Sequence, residues 1–126
     1  MIDGALCAYL LAYPGLVALA GDRVYADAAQ QGTPKPYCVI VGVSDIQDRT
    51  LTGHSGAHEI RRQISCYAAR GHDARMVEAQ VVAALRAWRG SGVAGVFIES
   101  RYTVPTEDEN LFHRAVDALI LYTGSE

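Results

Sequence analysis

The sequence has no run of about 18 apolar residues and no basic segment leading into an apolar one, the patterns of a membrane span and of a secretory leader. A membrane partner is not expected, and the chain reads as soluble and made in a cytoplasm. Positive charge is not in excess, and a formal net charge of −3 argues against a broad basic face that grips nucleic acid. Cysteine is sparse and odd in number. Cys7, Cys38 and Cys66 lie far apart, each in an apolar run, which argues for small buried hydrophobes in a reducing compartment and against a disulfide framework. A glycine-rich loop opening a helix is also missing. Gly90, Gly92 and Gly95 follow a predicted helix, the wrong polarity for phosphate binding, and read as turn punctuation. There is no internal repeat and no low-complexity segment.

What is there organises around Ala57 to Gly90. Over 57–68 one side reads Ile60, Ile64, Cys66 and Ala68, and the other Glu59, Arg61, Gln63, Ser65 and Tyr67, the period-two pattern of a strand buried on one face; only Arg62 breaks the inward row. A helix follows. Val77, Val81, Ala84, Leu85 and Trp88 share one stripe, with Arg75, Glu78, Arg86 and Arg89 placed elsewhere, Asp73 as N-cap and Gly90 at the C′ position.

Around that pair, Asp3 can cap a first helix over Gly4 to Tyr13, Pro14 opens a second short turn, and Arg23-Val24-Tyr25 can form a brief edge strand. Tyr37 to Val43 is apolar on both faces, so it is placed centrally, covered on both sides or by a neighbouring subunit. Ser44 to Gly56 reads as a polar loop, longer than hairpins need. Val93–Val104 has Val96, Ile98, Tyr102 and Val104 on one side and Phe97, Glu99, Arg101 and Thr103 on the other; Pro105–Asn110 makes a turn; Leu111–Thr123 returns with Phe112, Val116, Ala118, Ile120 and Tyr122 inward, leaving Gly124-Ser125-Glu126 as a frayed end. The expectation is one α+β domain over residues 1–126: a mainly antiparallel four-stranded sheet, with a fifth short edge strand as an option, packed by an N-terminal and a central amphipathic helix in the order α-(β)-β-β-α-β-β.

Chemistry is thinly represented. His54 and His58 are four apart, but at a strand entrance instead of on a helix, which favours a solvated loop over a metal site. Cys38 and Cys66 sit mid-strand, away from the basic or helix-terminal settings that activate thiols, so pairing either with His54, His58, His72 or His113 as a nucleophile is disfavoured. Glu107-Asp108-Glu109 reads as a solvated turn tip. The strand cations are more informative: Arg61, Arg62, Arg101 and Arg114, with Glu59, Glu99 and Asp117 as candidate acidic partners and Val82 and Phe97 on otherwise polar faces, point to contacts between subunits.

The order of five segments carries a resemblance: Leu16-Val17-Ala18-Leu19-Ala20-Gly21-Asp22-Arg23-Val24-Tyr25, Lys35-Pro36-Tyr37-Cys38-Val39-Ile40, Arg62-Gln63-Ile64-Ser65-Cys66-Tyr67-Ala68, Gly95-Val96-Phe97-Ile98 and Leu111-Phe112-His113-Arg114-Ala115-Val116-Asp117. Together they resemble the tail-completion, or tail-terminator, family of long-tailed phages, prophages and gene-transfer-agent particles. The resemblance implies a structural protein of a virion or phage-like particle tail, made in the bacterial host cytoplasm. Such a protein forms a homo-hexameric ring that caps the tail tube, stops its polymerisation and joins it to the head connector. It implies as partners further copies of itself, the major tail tube protein and the connector (stopper) protein, with DNA only as passing cargo, no membrane, no cofactor and no metal. Candidate tube or connector contacts are Asp45, Asp48, Arg49, His54, Glu107, Asp108 and Glu109; candidate subunit contacts are Arg61, Arg62, Glu99, Arg101 and Arg114. Two alternatives stand beside it: another head–tail connector component, and a small cytoplasmic α+β enzyme or ligand-binding domain with a pocket between central helix and sheet.

Overall fold

The computed structural model describes residues 2–30, 32–50, 53–89 and 92–122, with side chains described except at 2, 44–50 and 53–58. Gly90 and the tail from Gly124 to Glu126 lie outside the described residues. Helices α1 (Ile2–Leu11) and α2 (Pro14–Ala20) precede strands β1 (Val24–Ala26), β2 (Tyr37–Thr50) and β3 (Gly53–Ala68); helix α3 (Gly71–Ala87) then leads to β4 (Val93–Val104) and β5 (Phe112–Tyr122). The described strands form one sheet in the order β1-β2-β3-β5-β4. β1 runs parallel to β2 and every other pairing is antiparallel, so the sheet is mixed and the short edge strand is real.

The N-terminal segment departs from expectation in two ways. Pro14 occupies the first turn of a full helix, where its missing N–H costs nothing, and Gly21 ends that helix with φ of +59°, a left-handed value that glycine adopts without a Cβ penalty. Asp3 lies inside the first turn of α1 instead of capping it. Asp73 likewise falls within the first turn of α3, whose N-cap is Arg70. The Arg70 guanidinium reaches the Asp73 carboxylate at 3.9 Å, a loose, exposed pair.

The largest correction concerns Ser44 to Gly56. It is not a loop: β2 and β3 continue through it as a hairpin, paired from Ser44↔Arg61 to Thr50↔Gly53, with register shifts between Gly42 and Ser44 and between Gln47 and Arg49. Among the described residues β5 accompanies β3 as far as His58↔Tyr122, and the hairpin described beyond that point, to Thr50↔Gly53, is a two-stranded ribbon. Its sequence is polar on both sides, so the alternation that marks a half-buried strand is absent and the stretch does not read as a strand.

Leu6, Leu10 and Leu16 join Val77, Val81, Ala84, Leu85 and Trp88 over Ile40, Ile60, Ile64, Cys66, Val116, Ala118 and Ile120 in one core, so the helices pack on a single face of the sheet. Val82, expected at a subunit contact, is buried in this core. In β4 a bulge between Ile98 and Ser100 reverses the expected alternation. Val96 and Ile98 pack on the core, but past the bulge Arg101 turns to the helix side and Tyr102 to the opposite one.

Candidate assembly surface

Three of the strand charges predicted for neighbours, Arg62, Arg101 and Arg114, pair inside the subunit, two of them with a residue the sequence placed on a polar face. Glu78 of α3 is 1% exposed. Its carboxylate accepts hydrogen bonds from Arg114 Nε at 2.7 Å and Nη2 at 3.1 Å and from Arg101 Nε at 2.7 Å, tying the helix to β4 and β5. Burial alone would push its carboxyl up, but the hydrogen bonds from Arg114 and Arg101 outweigh it and hold the carboxyl below the usual range. Glu78 was missed because it adjoins the apolar stripe without matching it. The signal was Val82, one turn on and equally buried, which widens the buried arc to include position 78. Arg62, 4% exposed, donates through Nε to Asp3 Oδ1 at 2.6 Å and through Nη1 to the Arg61 carbonyl at 2.9 Å, so the break in the inward row of β3 is a clasp onto α1.

Arg61 and Glu99 differ. They pair at 3.0 Å on the sheet face away from the helices, both about a third exposed. On that face Asp117 accepts from Ser100 Oγ at 2.8 Å and from Tyr102 Oη at 3.4 Å, and so is not an arginine partner. Across β2, β3 and β5, Tyr37, Tyr67 and His113 stack with ring centroids 4.8 and 4.2 Å apart, and burial pushes the His113 imidazolium toward its neutral form. Phe97 and Val43 stand 56% and 58% exposed, and Val43 lines a shallow depression of about 220 Å³ with Arg61, Gln63, Glu99, Tyr102 and Asp117. This face lies opposite the one on which, among the described residues, the core residues of the helices pack. It is an apolar and aromatic surface with self-satisfied charges, which suits contact with another protein more than with a small polar ligand.

The remaining candidates sit at opposite ends of the sheet. Asp48, Arg49 and His54 belong to the ribbon, and Asp45, paired with Ile60, lies in the sheet just before it; their side chains lie outside the described residues. Glu107, Asp108 and Glu109 form the turn opposite the far end of β3, since Ala68 pairs with Phe112. That turn is exposed yet held: Asp108 Oδ1 accepts from the Asn110 amide at 2.8 Å, Thr106 Oγ1 donates to the Leu111 carbonyl at 2.6 Å, and Lys35 Nζ reaches the Asn110 carbonyl at 3.0 Å. β3 alone, at 16 residues, separates the two by about 50 Å.

An active site is not assembled from the described residues. The space between α3 and the sheet is filled by Val77, Val81, Leu85, Ile64, Val116 and Ile120. Cys66 and His113 point to opposite faces, because Cys66 pairs with Arg114 and His113 with Tyr67. The His54 and His58 side chains are outside the description.

A profile of the family described as tail completion protein gp17 matches residues 4–123. The chain belongs to the tail completion family. Membership makes this tail completion protein a structural component of a phage-like particle's tail, as the five segments implied. No curated protein matches it. Among solved structures, a chain of the virion of a native gene transfer agent particle superposes with a TM-score of 0.77 at 20% identity, over 98% of this chain and 95% of that one. At that identity the likeness establishes a shared fold.

Proposed function

We propose that copies of this tail completion protein close into a ring, six by the family resemblance, that caps the tail tube, stops its polymerisation and joins the tail to the head connector. The observation that carries the reading is polarity. One copy presents a projecting β-ribbon at one end of its sheet and a stiffened acidic turn at the other, so a ring of parallel copies offers two chemically different rims, one for the major tail tube protein and one for the connector. The helix-free sheet face, with Phe97, Val43 and the Arg61–Glu99 pair, lies between the rims and meets the next copy in a heterologous contact that closes. Arg62, Arg101 and Arg114 then serve the subunit's own fold. A weakly acidic chain suits a channel that passes DNA without gripping it.

Particles made without this protein test the termination role directly. Electron micrographs are expected to show headless tails of uncontrolled length, and normal tails on filled heads would rule the role out. The interface has its own test. Phe97→Asp is expected to leave subunit stability within about 0.5 kcal/mol, since the ring is already solvated. It should weaken self-association on tubes at least about tenfold, the loss from a Phe that no longer buries its ring. Unchanged ring occupancy in micrographs would move the contact off this face.

A further inference from the structure

Cys38 and Cys66 are register partners across β2 and β3, and both are fully buried under the helices. The Cys38 amide donates to Arg23 at 2.9 Å, on the β1 side, so toward β3 this residue turns no backbone group. The pair therefore occupies a non-hydrogen-bonded position, where antiparallel strands bring Cα atoms to about 4.5 Å and side chains closest together. That lies within the about 4.4–6.8 Å Cα separation a disulfide accepts. The Cys66 thiol itself makes only a long, weak contact of 3.9 Å to the Ile64 carbonyl on its own strand. Cys7, the third free cysteine, is engaged elsewhere, its thiol 3.5 Å from the Val24 carbonyl.

We propose that Cys38 and Cys66 are a latent cross-strand disulfide, closed by peroxide once the protein has left a reducing compartment, that staples the base of the hairpin whose far end is the projecting ribbon. One sulfur attacks hydrogen peroxide, giving a sulfenic acid and a water; the second thiol then displaces the hydroxyl as a second water and the S–S bond forms. Two thiols are oxidised and one peroxide is reduced, with both thiol protons leaving in water. The neighbouring Cys38 thiol and burial together push the Cys66 thiol well up, so little thiolate is available and oxidation is slow. Peroxide is close to water in size, which suits a site closed to larger disulfides. Wide sequence spacing hid the pair, because only strand register brings positions 38 and 66 together.

The test uses the full chain carrying Cys7→Ser, which removes the competing thiol. The protein is exposed to excess hydrogen peroxide without reductant well below its melting temperature, then alkylated in denaturant and digested. The expected result is a peptide linking Cys38 to Cys66, released by dithiothreitol, with neither cysteine alkylated and a melting temperature raised by about 5 °C or more, since the link removes loop-closure entropy from the unfolded chain. Cys38→Ala in the same background is expected to show no link and no gain. Full alkylation of both cysteines after peroxide, sulfinic acid at either one, or a linked protein that melts no higher than the reduced one would overturn the proposal.

Discussion

Glu78→Gln is expected to lower the unfolding free energy by about 2–4 kcal/mol, at the lower side of what breaking a buried ion pair costs, because Arg101 remains partly solvated. The glutamine keeps the shape of the side chain and one acceptor but leaves Arg114 and Arg101 without their counter-charge at the junction of α3, β4 and β5. The pH dependence separates charge from shape. Because the folded protein holds the Glu78 carboxyl below its ordinary range, the group contributes stability that is present above the ordinary carboxylate value of about 4.3 and is lost as pH falls through the lower folded value. The difference between wild type and Glu78→Gln in urea unfolding is therefore largest near neutrality and narrows on acidification below about pH 4. A gap that stays constant with pH would show that Glu78 acts by packing alone. Joining Glu78→Leu with Arg114→Met should recover most of the loss, since an apolar pair needs no desolvation offset.

Asp3→Ala is expected to lower the unfolding free energy by about 1.5–3 kcal/mol, the scale of a hydrogen bond to a charged group, because it removes the carboxylate that the 4%-exposed Arg62 faces at 2.6 Å. Asp3→Asn, which keeps an acceptor without the charge, is expected to lose less. Urea midpoints at unchanged m-values read both. A change within about 0.5 kcal/mol for Asp3→Ala would show that the pair adds nothing measurable to stability. The comparison also bears on function, because this clasp fixes α1 against the strand that runs on into the ribbon.

The legible parts of the fold were those in which one face meets a core. The inward residues of β3 and β5 and the stripe of α3 follow period-two and period-3.6 patterns because burial enforces them, and Ile60, Ile64, Val116, Ile120, Val77 and Leu85 are all buried as the patterns require. Where burial is absent or polar, the patterns fail. The ribbon reads as a loop because its sequence is polar on both faces. Glu78 reads as solvent-facing because a period cannot tell a free carboxylate from one that two arginines neutralise. Arg101 and Tyr102 exchange faces because one extra residue at a bulge, silent in composition, inverts everything after it.

Sequence by itself determined the family and the one-sided amphipathicity of the long strands and the central helix. Those properties belong to the chain locally, and side-chain chemistry plus spacing suffices to state them. Tertiary structure decided which charges are internal, that the ribbon and the acidic turn stand at opposite ends, and that two cysteines far apart in the chain are nearest neighbours. Each depends on strand register and on the direction in which strands return, which arise only when the whole sheet is assembled.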